Sequence, residues 1–207
     1  LLGSNSTGTL AAARDNTGVG VGVFAALSSG DGNVVIGRSA AATLTTGSNN
    51  VVIGLNAADD STLPTGLSTG SNNIVIGSGA TVSGAGVSYE VTLGNANITA
   101  LRCADTTIAS LSDRRDKTDI VDSTFGLEFI EKLRPVQYTW KTREGAVKDG
   151  SRRVGFIAQE LQEVMAQGEN SVLDLVYEAN PDRLEVKHGN LLPVLVKAVQ
   201  ELSERVG

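Results

Sequence analysis

Glycines at positions 20, 37, 54, 77 and 94 each close a short segment of the same design. The segments are Asn16-Thr17-Gly18-Val19-Gly20, Asn33-Val34-Val35-Ile36-Gly37, Asn50-Val51-Val52-Ile53-Gly54, Asn73-Ile74-Val75-Ile76-Gly77 and a degenerate Glu90-Val91-Thr92-Leu93-Gly94. Their spacings are 17, 17, 23 and 17, and the long one is the period plus an insertion placed in the turn-rich Asp59 to Pro64. A fixed period interrupted by one loop is the mark of a solenoid, in which each unit buries its apolar face only against its neighbours. The three residues before each Gly favour a short strand. The Gly supplies a backbone turn that a side chain would obstruct. Ala40, Ala57 and Ala80 follow three residues later, and Gly47-Ser48-Asn49-Asn50 and Gly70-Ser71-Asn72-Asn73 are turns leading into the next strand.

Composition leaves few alternatives. Residues 1–110 hold 17 of the 24 glycines, no Lys, and only Phe24 and Tyr89 as aromatics. Such a chain is either disordered or a stack that buries small side chains. Triplets such as Val51-Val52-Ile53 are apolar on both faces, which predicts burial on both faces. A thin single-chain solenoid has one interior, so the second face predicts several chains wrapped together, with the aliphatic rows inside and the Asn residues in a ladder. A calcium-binding nonapeptide roll is excluded, because Gly-Gly-x-Gly-x-Asp is absent. Over residues 14–97 the Asn-x-Val-Ile-Gly units resemble the head repeats of trimeric autotransporter adhesins and of phage tail fibres. That resemblance implies an interlocked trimeric parallel β-roll. The longer period and the inserted loop depart from the pattern around Asp59 to Gly66.

The chain has 207 residues and a net charge of −6, without a basic stripe, which argues against nucleic acid as a partner. Cys103 is the only cysteine and His188 the only histidine. No intrachain disulfide or Cys-based zinc site can form, a Ser-His-Asp triad has a single candidate base, and no cofactor or metal is expected. Cys103 reads as a small buried hydrophobe. No apolar run approaches the ~18 residues of a membrane span, so no membrane insertion is expected. No signal-peptide pattern is present, and a first residue Leu reads as a fragment of something longer.

Composition changes near residue 110. Beyond it lie Phe125, Phe129, Tyr138, Trp140, Phe156 and Tyr177, with 14 basic and 17 acidic residues. The boundary divides a fibre segment, 1–110, from an α+β domain, 111–207. Ser123 to Leu133 has helical spacing and stops at Pro135. Val136 to Lys141 and Arg153 to Ile157 read as a hairpin across a loop at Glu144 to Ser151. Ala158 to Met165 reads as a helix, and Val172 to Tyr177 and Leu184 to Val186 as strands. The last segment is a long helix whose Leu192, Leu195, Val199, Leu202 and Val206 are spaced 3, 4, 3, 4. That is a heptad seam, which either packs on its own domain or pairs with identical helices in a coiled coil.

Four motifs occur in order: Ser112-Asp113-x-Arg115-x-Lys117-Thr118-Asp119-Ile120, Leu133-Arg134-Pro135-Val136-x-Tyr138-x-Trp140-Lys141, Arg153-Val154-Gly155-Phe156-Ile157-Ala158-Gln159-Glu160, and Leu191-Leu192-x-x-Leu195-x-x-Ala198-Val199-Gln200-Glu201-Leu202. Together they resemble the intramolecular chaperone auto-processing domain of phage tail fibres, tailspikes and endosialidases. The resemblance implies a homotrimeric chaperone that assembles the fibre in front of it and then cuts itself off with a Ser-Lys dyad. Ser112 is then the nucleophile, Lys117 the general base and Leu111–Ser112 the cleaved bond, with Asp113, Arg115 and Asp119 as supporting motif residues. It also implies a virion protein, folded in the host cytoplasm and directed to host attachment through a surface receptor or polysaccharide.

Chemistry sets the demands on such a dyad. A Ser hydroxyl attacks only when a base takes its proton. A Lys, with an ordinary pKa of ~10.4, serves as that base only when burial or like charge favours its neutral form. Arg114 and Arg115 push in that direction, while Asp113, Asp116 and Asp119 oppose them. Two other readings remain at this point. The charged string fits a solvated turn, in which case the C-terminal domain is a permanent trimerisation cap on an adhesive fibre tip. An independent hydrolase acting on polymers would need paired carboxylates or a metal cluster, and no such constellation is visible.

Overall fold

The computed structural model describes residues 12–59, 66–105, 108–140 and 150–207. The chain divides into two compact units, Leu1–Thr99 and Ala100–Gly207.

The first unit is a parallel β-solenoid. Strands β1 (Thr17–Val19), β2 (Val34–Ile36), β3 (Val51–Ile53), β4 (Ile74–Ile76) and β5 (Val91–Leu93) stack in chain order. Every pairing is parallel and in register, so Val35 lies against Val52 and Val52 against Val75. These central residues point inward and are fully buried. Leu27, Leu44 and Leu67 form a second buried row, and Ala40, Ala57 and Ala80 a third. The register survives the 23-residue step, and the inserted loop itself lies largely outside the described residues. The outward members of the triplets, Val34, Ile36, Ile74 and Ile76, remain 37–40% exposed in the single chain.

Two backbone features explain the composition. Gly37 sits at φ +135, and a Cβ there would lie 2.3 Å from the Gly54 carbonyl oxygen in the next coil. At Gly47 an added Cβ would lie 2.1 Å from the Gly70 oxygen. The same row continues to Val87, below which Gly70 allows the close approach; Val87 is tolerated because β5 ends the sheet. The degenerate last unit is thus the end of the stack.

Asn33, Asn50 and Asn73 are buried polar residues with every side-chain bond met inside the stack. The Asn50 Nδ2 donates to Asn33 Oδ1 and to the Gly70 carbonyl, each at 3.0 Å. Its Oδ1 accepts from the Asn73 backbone N–H and from Asn73 Nδ2, each at 3.0 Å. The same pattern links Asn33 to Asn16. Glu90 takes the next rung: its N–H donates to Asn73 Oδ1, while its carboxylate accepts from the Ser83 N–H, the Ser83 hydroxyl and the Thr92 hydroxyl.

The second unit is α+β. It contains α1 (Leu127–Ile130), the antiparallel hairpin β6 (Val136–Thr139) and β7 (Arg152–Gly155), α2 (Ala158–Met165), the antiparallel pair β8 (Val176–Tyr177) and β9 (Glu185–Val186), and α3 (Leu192–Val206). The core joins Phe129, Leu161, Met165, Leu175, Val176, Leu191 and Val194. The expected helix from Ser123 shrinks to one turn because Gly126 precedes it without a side-chain cap. The missing partner comes from α3: the Leu127 N–H donates to Glu201 Oε2 at 2.8 Å. The expected strand from Val172 begins only at Val176, since Asn170–Leu173 is a 3-10 turn with Val172 turned to solvent. The hairpin loop expected at Glu144 to Ser151 falls mainly on residues 141–149, outside the described ones.

Two expectations are settled by exposure. Cys103 is exposed rather than buried, because it lies in a stretch without regular secondary structure whose described neighbours, Leu101 to Asp105, are themselves exposed. On α3, Val194 and Ala198 face the domain core, whereas Leu192, Leu195, Val199, Leu202 and Val206 are exposed. The heptad seam is therefore not the face packed on its own domain.

Candidate active site

Five residues of extended chain span about 17 Å, so Lys117 reaches Ser112 only if the chain between them turns. It does: Arg114–Asp116 is a single 3-10 turn, closed by Asp116 N–H to the Asp113 carbonyl at 3.1 Å and Lys117 N–H to the Arg114 carbonyl at 3.2 Å. Lys117 leaves the turn extended, at φ −124 and ψ 142. Its Nζ then donates to Ser112 Oγ at 2.6 Å. The nucleophile and base expected from the sequence are thus within hydrogen-bond reach, the geometric condition for proton transfer.

Of the supporting residues, Asp113 caps the turn. Its Oδ1 accepts from the Arg115 N–H at 2.8 Å and from Arg115 Nε at 3.0 Å, and its Oδ2 from Arg115 Nη2 at 2.6 Å. The guanidinium beside it, then the backbone N–H, hold the Asp113 carboxyl below the usual carboxylate range. Asp119 lies apart from the dyad, at φ +50, and accepts from the Thr118 hydroxyl at 3.2 Å. Leu111, whose carbonyl would be attacked, is 97% exposed. Ser112 and Lys117 are exposed as well, and the turn contains no buried residue.

Sequence reasoning missed two supports of this domain. Arg134 forks onto the Glu160 carboxylate, tying the segment before β6 to α2 and lowering the Glu160 carboxyl below its ordinary range. Both residues lie within the quoted motifs, but their pairing over 26 positions leaves no periodic trace. Glu201 on α3 reads from spacing as a seam-flanking charge, yet it caps α1. Among the described residues no group of three or more His, Cys, Asp or Glu could hold a metal, and no helix is long and apolar enough to cross a membrane.

Residues 112–168 match the family model Peptidase S74, described as chaperone of endosialidase. The match opens on Ser112 and runs through Lys117, α1, the hairpin and α2. No curated protein and no solved structure shows a significant match to the chain. The match supports an intramolecular chaperone domain of the endosialidase type at residues 112–168, which follow the β-solenoid in the sequence. The family implies a phage tail-fibre chaperone role and, in general, self-cleaving peptidase activity.

Proposed function

We propose that the chain is the C-terminal part of a phage tail fibre or tailspike. Its second domain trimerises, folds the β-roll, and then releases itself at Leu111–Ser112. The observation that carries this reading is the 2.6 Å contact between Lys117 Nζ and Ser112 Oγ, at the first residue of the family match. In the neutral state Lys117 takes the hydroxyl proton as Ser112 Oγ attacks the Leu111 carbonyl carbon. The Leu111–Ser112 amide bond breaks, and its nitrogen receives a proton and leaves as the amine of Ser112. An ester then joins Leu111 to Ser112 Oγ. Water hydrolyses it to a Leu111 carboxylate and a free Ser112 hydroxyl.

A neutral Lys requires desolvation, and both partners are exposed in the single chain. The covering surface comes from further copies of the chain. Two exposed apolar features support a homotrimer: the outward rows of the roll, including Ile36, Ile74 and Ile76, and the seam Leu192 to Val206 on α3. The rolls interlock through the first, and the helices meet as a short coiled coil through the second. A domain that trimerises early raises the local concentration of three slow-pairing chains and sets their register. The protein is placed in the virion, folded in the host cytoplasm, with the roll serving attachment to a receptor or polysaccharide.

The exposure of the dyad also favours a second reading, an uncut fibre tip with a permanent trimerisation cap. Denaturing gels with intact mass on fresh protein separate the two. Self-cleavage gives fragments meeting at Leu111/Ser112, abolished in both Ser112→Ala and Lys117→Ala. A single full-length chain in all three establishes the retained cap.

A further inference from the structure

We propose that Asp113 is the positioning residue of the dyad: by capping the Arg114–Asp116 turn and gripping Arg115, it holds Lys117 Nζ on Ser112 Oγ. This rests on the self-cleavage reading and extends it to what aligns the base.

The argument begins with what does not hold the turn. No residue of it is buried, and Ser112 to Asp119 are all exposed. Packing within the chain therefore contributes nothing to its shape. Two backbone bonds close it, and a lone 3-10 turn of that kind is weak. The remaining constraint is the Asp113 carboxylate, which accepts three hydrogen bonds from one residue, Arg115. One is the cap bond to a backbone N–H, which fixes the first residues of the turn directly. The other two hold the carboxylate in the plane of the guanidinium, so that its Oδ1 stays aimed at that N–H. An exposed ion pair alone is worth little, and its use here lies in orientation. Arg115 N–H, Asp116 N–H and Lys117 N–H are consecutive donors bonded to Asp113 Oδ1, Asp113 O and Arg114 O. Release of the first loosens the next two, and Lys117 departs from Ser112. The sequence offers an internal control: Asp116 carries the same side chain inside the same turn, and that carboxylate accepts none of the three bonds from Arg115.

The experiment compares the full chain with Asp113→Ala, Asp113→Asn and Asp116→Asn. Cleavage is timed across a range of pH, and amide exchange is read at residues 115–117. Asp113→Ala is expected to speed exchange about fivefold. It should slow cleavage by up to about 100-fold at every pH, the scale for a misplaced catalytic group. Asp113→Asn, which keeps the cap acceptor without the charge, should restore most of the rate, and Asp116→Asn should leave amide exchange at residues 115–117 as in the unaltered chain. Unchanged cleavage and exchange in Asp113→Ala would overturn the proposal. So would an Asn variant as slow as the Ala variant with the same shifted pH midpoint, which would make Asp113 an electrostatic partner of Lys117. If the unaltered chain is never cut, the self-cleavage reading fails. The exchange data then still decide whether Asp113 holds the turn.

Discussion

The two units reach stability by opposite routes. In the roll, most bonds join a residue to the neighbouring coil: Asn50 to Asn33, Val52 to Val35, Gly54 N–H to the Ile36 carbonyl. Within a coil only short turn bonds such as Ala40 N–H to the Gly37 carbonyl form, and no coil is complete alone. In the C-terminal domain, α2 and α3 are held by local bonds and bury Leu161, Met165 and Val194 in one shared core. The comparison teaches why, on the proposed function, one region would need help to fold and the other could supply it. Non-local pairing delays any gain until the chain is already ordered, whereas helical contacts return it at once.

The largest test of that difference is truncation. Residues 1–110 expressed alone are expected to aggregate, while 111–207 expressed alone stay soluble; size-exclusion chromatography reads both. A soluble, ordered trimer of 1–110 would break the comparison. Next in size is Asn50→Leu, which strands the Gly70 carbonyl, the Asn73 backbone N–H and one Nδ2 hydrogen of Asn73 inside the stack, and leaves Asn33 Oδ1 only the backbone N–H of residue 50. At about 1–3 kcal/mol for each buried group left unpaired, the roll should fail to assemble, seen as loss of β signal by circular dichroism. Phe129→Ala should cost about 3–5 kcal/mol in denaturant unfolding, confined to the C-terminal domain. The smallest effect is electrostatic. The Glu160 carboxyl is lowered by Arg134, so its contribution is present above the ordinary carboxylate range and is lost as pH falls through its depressed value. Both side chains are well exposed, so the acid-induced fall in melting temperature attributable to this pair should be slight and vanish in high salt, as Glu160→Gln would reveal.

Legibility followed the same division. The roll could be read because its physics repeats: the Gly rows, the buried strand centres and the Asn ladder each write one rule several times. The helix Ala158–Met165 was equally plain, since its apolar side follows helical spacing. What escaped were single events. The cap on α1 comes from Glu201, 74 residues away from Leu127, so Ser123 to Leu133 read as a longer helix than forms. By residue type Cys103 reads as buried, and its exposure depends on a neighbourhood that residue type does not encode. At the candidate site the pair Ser112 and Lys117 was visible in the spacing. The 3-10 turn that joins them was not, because it depends on one carboxylate's choice of partner.

The Asn ladder has a direction. From one carboxamide to another, each Nδ2 donates to the Oδ1 of the previous coil and each Oδ1 accepts from the Nδ2 of the next, like monomers joined head to tail. Glu90 brings a backbone donor to Asn73 but no side-chain amide to pass on, and so behaves as a chain terminator in a one-dimensional polymer. Length in such a polymer is set by its internal copy number, and its identity by its end group. Duplicating a 17-residue unit between Gly37 and Gly54 would lengthen the roll while leaving both the terminator and the C-terminal domain untouched.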